Sequence, residues 1–152
     1  MQAAYINPFL MSSCTVIESL IQVKPTLGEL KIKQIEIGDD RVWLKIGIVG
    51  GMTGEVVFGF PESVALKIAS AMMGGYSLTE FDEISRSAIS ELTNMISGNA
   101  STLLYNQGIV VDITPPSFMD LGSQMASTGA KALSIPLNLH SYGAFDIYVI
   151  MR

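Results

Sequence analysis

The stretch "RVWLKIGIVGGMTGEVVFGFP", residues 41–61, decides the local architecture. Alternation puts Val42, Leu44, Ile46 and Ile48 on one face of a strand, and Val56, Phe58 and Phe60 on one face of the next. Between them "GGMTG" (50–54) supplies a glycine-rich turn, so the segment reads as a hairpin. Upstream, "GELKIKQIEIGDD" (28–40) runs into a turn at "GDDR" and predicts a third strand. There Leu30 and Ile32 share a face while Ile35 and Ile37 fall out of phase, which predicts a bulge near Lys33 and Gln34. The three strands are expected to form an antiparallel meander.

Before them, "INPFLMSSCTVIESLIQV" (6–23) predicts a helix with Asn7 as cap, Pro8 at the first helical position, apolar Phe9, Val16 and Leu20 at helical spacing, and Pro25 as terminator. After them, "PESVALKIASAMM" (61–73) predicts a short helix stopped at Gly74-Gly75. A long helix follows, capped by Ser77 or Thr79, running to about Asn106 and closed by Gly108. Three more strands are expected: "IVVDIT" (109–114), "ALSIPLNLH" (132–140) and "AFDIYVIM" (144–151). Pro136 lacks an N–H, so its strand lies at a sheet edge or presents that position to nothing. The segment "PPSFMDLGSQMASTGAK" (115–131) is a long loop, ordered or mobile. The order is helix, three strands, two helices, three strands. That predicts an α/β fold of the α+β type, a six-stranded, mainly antiparallel sheet with long helices packed on it, in one domain spanning 1–152. The two halves share a plan without a residue repeat.

Composition narrows the function classes. Apolar residues make up 49% of the 152 residues and charged residues 15%, an oily chain that suits burial against a partner or a second copy. Residues 92–111 carry no charge but are too dense in Thr, Asn, Ser and Gln for a spanning helix, so no membrane role is expected. With nine Lys and Arg and a net charge of −5, no cationic surface for nucleic acid is expected. Cys14 is the only cysteine, and the N-terminus lacks a secretory pattern, which predicts a cytoplasmic protein. The one histidine, His140, has no partners for a metal site or a Ser-based triad, and no Gly-rich phosphate loop is present. The nine methionines read as core filler and Trp43 as a packed strand residue.

The long helix carries the informative pattern, "SRSAISELTNMISGNASTLL" (85–104). At about 100° per residue, Ser87, Glu91, Asn94 and Gly98 fall within roughly 60° of one another. The apolar set Phe81, Ile84, Ala88, Leu92, Ile96 and Leu103 centres elsewhere on the wheel and is assigned to the core. Glu91 and Asn94 therefore point off the buried face. Gly98 costs a helix about 1 kcal/mol relative to Ala, which suggests close approach of something to the backbone there. An isolated Glu-x-x-Asn on a helix is ordinarily a solvated face. The longer Ser-x-x-x-Glu-x-x-Asn-x-x-x-Gly pattern resembles the signature of the CheC/CheX family of chemotaxis phosphatases. "INPFL" (6–10) and "SIPLNL" (134–139) are similar to that family's start and final hairpin. The first helix has Glu18 but Ile21 three residues on, so the second site of CheC-type members is absent and the pattern is CheX-like.

The resemblance implies hydrolysis of the aspartyl phosphate of a CheY-like response regulator. In that reading Asn94 orients the attacking water, Glu91 pairs with a lysine of the partner, and Ser87 and Gly98 lie at the contact. It also implies no cofactor of the chain's own, Mg²⁺ supplied by the receiver domain, and a homodimer. The rival is a non-catalytic response-regulator-binding or flagellar-switch-like module. The intact Glu-Asn pair and the absence of an appended domain favour the enzyme.

Overall fold

A computed structural model describes residues 3–119 and 129–151. Helix α1 spans Ala3–Ile21, strands β1 and β2 Thr26–Leu27 and Lys31–Gln34, and the hairpin strands β3 and β4 Arg41–Gly50 and Gly54–Pro61. Helices α2 and α3 span Glu62–Met72 and Glu83–Asn106. Strands β5 and β6 are Val111–Ile113 and Ser117–Phe118, and β7 and β8 are Lys131–Asn138 and Ala144–Met151, joined by a 3-10 turn at His140–Tyr142. The fold class is as expected: an α/β arrangement with helices against an antiparallel sheet. Among the described residues the sheet has eight strands rather than six, because β1 and β6 are short pairings that alternation over two residues cannot announce. Most of the 115–131 loop lies outside the described residues.

The expected meander is corrected. The β3–β4 hairpin forms, but β2 pairs with β7, not with β3. The two halves interlock around the central β4–β8 pair. The short strands β1 and β2 lie along β7 of the other half, and β5 and β6 lie along β3. Leu30, just before β2, and Ile32, on it, are consequently 40% and 64% exposed at the outside of the sheet, whereas Ile35, past the end of β2, is buried.

This interlocking explains Pro136. Its strand is not at the edge, but the flanking chain breaks between β1 and β2 opposite it. Pro136 accepts from Gly28 N–H through its carbonyl, so its missing N–H faces that same break. The position it matches in the other half is Gly47, whose N–H faces the break between β5 and β6 and donates to Thr114 Oγ1 at 2.7 Å. A side chain satisfies the donor in one half, and proline removes it in the other.

One sheet face and helices α1, α2 and α3 enclose the main core. Leu44, Ile46, Ile48, Val56, Phe58, Phe60, Ile135, Leu137, Phe145, Ile147 and Val149 meet Phe9, Ile17, Ala65, Ile68, Leu92 and Ile96 there. Alternation assigns those strand residues to one face correctly. On the opposite face Trp43 packs with Val57 and Tyr148, its indole N–H donating to the Gly38 carbonyl. Helix α1 begins before Asn7 and contains Pro8 in its interior, so Asn7 is not its cap.

Candidate active site

Helix α3 starts later than Ser77 or Thr79. Its cap is Asp82, whose carboxylate accepts from Ser85 N–H at 3.1 Å. At the far end Gly108, at φ +82, donates to the Tyr105 carbonyl, and Ile109 N–H reaches back to Leu104. This is a Schellman closure, which the left-handed glycine permits. Between these ends Ala88, Ile89, Leu92, Ile96, Ala100 and Leu104 are buried. Burial of each larger side chain contributes about 1.5–3 kcal/mol, and α1 and α2 flank the helix. The rod is therefore fixed along its inner side.

The buried set corrects the sequence assignment in part. Ile84 is 52% exposed, while Ser85, Thr93 and Ser97 are buried. Their hydroxyls donate to the carbonyls of Glu80, Ser90 and Thr93, which lets polar residues face the core.

Ser87, Glu91, Asn94 and Gly98 are all exposed, on the side of α3 opposite its buried residues. The strip extends about 17 Å along the axis, and Glu91 and Asn94 are separated by about 4.5 Å of rise. Among the described residues a β-carbon built at Gly98 meets nothing within 4 Å, so no packing against them requires glycine there. The strip forms a ridge between two grooves. One, of about 590 Å³, runs between α3 and Pro115, Pro116 and Phe118. The other, of about 560 Å³, is walled by Met72, Met73 and Ile84. Ser87 and Glu91 line both, and Asn94 lines the first. Met73 and the Pro-Pro wall are features that periodicity along α3 does not announce, since they come from other segments of the chain.

Among the described residues no side-chain hydrogen bond or ion pair holds Glu91 or Asn94, so the acid and the amide can hydrogen-bond outward without first breaking one. The larger depression of about 630 Å³ between α2 and Tyr142 carries one lysine and several serines but no carboxylate. It offers less chemistry than the ridge. His140 is not part of the site: its Nε2 lies 3.2 Å from Thr26 Oγ1 and from the Lys24 carbonyl, tying β1 to the turn. Burial and the Glu18 carboxylate push the Cys14 thiol up, away from thiolate chemistry. On α1, Glu18 is exposed but Ile21 is buried, so that helix presents no acid–amide pair at these positions. Among the described residues no helix is long and apolar enough to cross a membrane.

Comparison with known proteins agrees with this fold. Residues 42–138 match the family described as "Chemotaxis phosphatase CheX". The chain is 33% identical over 153 residues to the CheY-P phosphatase CheX of Thermotoga maritima, covering 100% of this chain and 98% of that one. A CheC-like superfamily protein from Shewanella sp. PV-4 superposes with a TM-score of 0.84 at 25% identity, over 100% and 99% of the two chains. The CheX of a CheX–CheY–BeF₃–Mg²⁺ complex from Borrelia burgdorferi does so with 0.80 at 26% identity, over 97% of each. With the family match reaching from β3 to β7 and full-length similarity beyond it, the chain belongs to the CheX family of chemotaxis phosphatases.

Proposed function

We propose that this chain hydrolyses the aspartyl phosphate of a CheY-like response regulator, with Asn94 and Glu91 as the working pair. The observation that carries the reading is the exposure of both side chains, one turn apart, on the outer face of a helix whose inner face is buried. An acyl phosphate has a good leaving group. The receiver domain brings Mg²⁺ and a lysine against the phosphoryl charge, so the phosphatase needs neither metal nor nucleophile of its own. Its task is to hold water in line. The Asn94 carbonyl accepts a hydrogen bond from that water, and the neutral amide does not repel the phosphoryl oxygens. The water oxygen bonds to phosphorus, the P–O bond to the aspartate breaks, and the carboxylate leaves with the electron pair. The protons of the water depart with inorganic phosphate. Glu91 pairs with the partner's lysine and anchors α3 while Asn94 enters the site.

The direct test mixes the protein with phosphorylated receiver domain and Mg²⁺ and follows loss of the phosphoryl group. Accelerated decay supports the reading. Binding without acceleration would favour a non-catalytic module instead.

In this reading Gly98 admits the partner's backbone. Gly98→Ala has open space for its methyl group, so it should stabilise the free protein by up to about 1 kcal/mol. The same variant should weaken complex formation with the receiver. Thermal unfolding and receiver binding, measured on one preparation, should move in opposite senses; binding equal to wild type would remove Gly98 from the contact. Ser87, which lines both grooves, belongs at the rim.

The same proposal takes the 1–152 domain as a cytoplasmic homodimer, since exposed Leu30 and Ile32, at and just before the outer strand β2, offer apolar surface to a second copy. Sedimentation gives the mass, and a monomer at working concentration would remove that part.

A further inference from the structure

Arg86 stands in the wall of the groove that Asn94 and Glu91 also line. Its guanidinium carbon lies 3.9 Å from the centroid of the Phe118 ring. That ring is itself held, edge-on to Phe81 at 6.1 Å and on strand β6, which pairs with β3. A long, exposed cationic side chain is thus ordered before any partner arrives, which lowers the entropic cost of using it. Among the described residues no carboxylate pairs with it; the ion pairs are Lys31–Glu29, Arg41–Asp146 and Lys45–Glu55. The surface around it is acidic: Asp82, Glu83 and Glu91 are exposed, and the chain carries a net charge of −5. Among the described residues, Arg86 is the one cation lining this groove.

A phosphorylated receiver presents a phosphoryl group and the carboxylates that hold its Mg²⁺, so two acidic surfaces must meet. We infer that Arg86, held on Phe118, is the docking cation for those carboxylates. The inference rests on the phosphatase reading and names the contact that orients the partner. Arg86 and Glu91 are about 7.5 Å apart along the axis of α3. One meets partner carboxylates and the other the partner lysine. Opposite charges at that separation favour one orientation of the receiver and penalise its reverse.

The test is a charge series, Arg86→Lys, Arg86→Ala and Arg86→Glu. Two quantities are measured at low and high salt: kcat/KM on phosphorylated receiver, and affinity for receiver loaded with beryllofluoride and Mg²⁺. The expected order is wild type, Lys, Ala, Glu. Arg86→Ala should lose about tenfold in kcat/KM at low salt, with the loss falling on KM. The spread should narrow in high salt as screening shortens the reach of the charge. Phe118→Leu, which keeps the cation but removes its support, should resemble Arg86→Lys. Equal values for Ala, Glu and wild type would overturn the inference. So would losses that ignore charge and salt and fall on kcat, because they would mean that Arg86 only supports the helix. If wild type fails to accelerate decay, the phosphatase reading fails, and the affinity series still decides the role of Arg86.

Discussion

Asn94→Ala should reduce the acceleration of receiver dephosphorylation by about 10²–10³ while leaving the protein folded and able to bind. Asn94 is exposed on the outer side of α3, so truncation opens no cavity. Alanine is also the better helix former, so stability should not fall. What disappears is the acceptor that fixes the water, a contribution of positioning rather than affinity. Asn94→Asp sharpens the point. It keeps the size and an acceptor oxygen but adds a negative charge facing the phosphoryl oxygens, and it should also be strongly impaired. Decay rates at saturating phosphatase, with thermal unfolding as control, check both variants. Ordinary activity in Asn94→Ala would remove the assignment.

Glu91→Ala should act on binding as well as rate. Glu91 is exposed in the free protein and, in the proposed docking, becomes buried against a lysine of the receiver. Removing one partner of a desolvated charge pair typically costs about 2–5 kcal/mol, roughly 30-fold to several thousand-fold in affinity. Much of that is the penalty for leaving the partner's lysine unpaired. Glu91→Gln preserves shape and hydrogen bonding without the charge and should lose less than Ala. Titration against beryllofluoride-activated receiver reads the affinity directly, and the phosphatase assay reads KM. Unchanged affinity and turnover in Glu91→Ala would contradict the anchoring role.

The parts of the molecule that are legible in sequence share a physical cause. The strip Ser87–Glu91–Asn94–Gly98 can be placed because helical geometry fixes which side chains share a face, whatever surrounds them. The inward faces of β3, β4, β7 and β8 can be placed because each runs eight residues or more with its large apolar residues recurring at every second position. What escapes depends on contacts distant in sequence. Hydropathy assigns Ile84 to the core and leaves Thr93 and Ser97 out of it, since it does not register that a hydroxyl can satisfy itself on its own helix. Ser77, Thr79 and Asp82 are all capping types, and only the structure distinguishes the one that accepts from a backbone N–H. Pairing of β2 with β7 rather than β3 reflects the interlocking of two halves, which a turn at 38–41 cannot reveal. Arg86 does not stand out in the sequence because its significance lies in Phe118, 32 positions along the chain.

The most direct measurement is a crystal structure of this chain bound to its receiver domain, with beryllofluoride and Mg²⁺ in place of the phosphoryl group. The expected complex has α3 facing that site, Glu91 on the receiver's lysine, and the Asn94 carboxamide within about 3 Å of a water in line with the beryllium–aspartate bond. A complex in which the outer face of α3 is turned away from the phosphorylation site would contradict it.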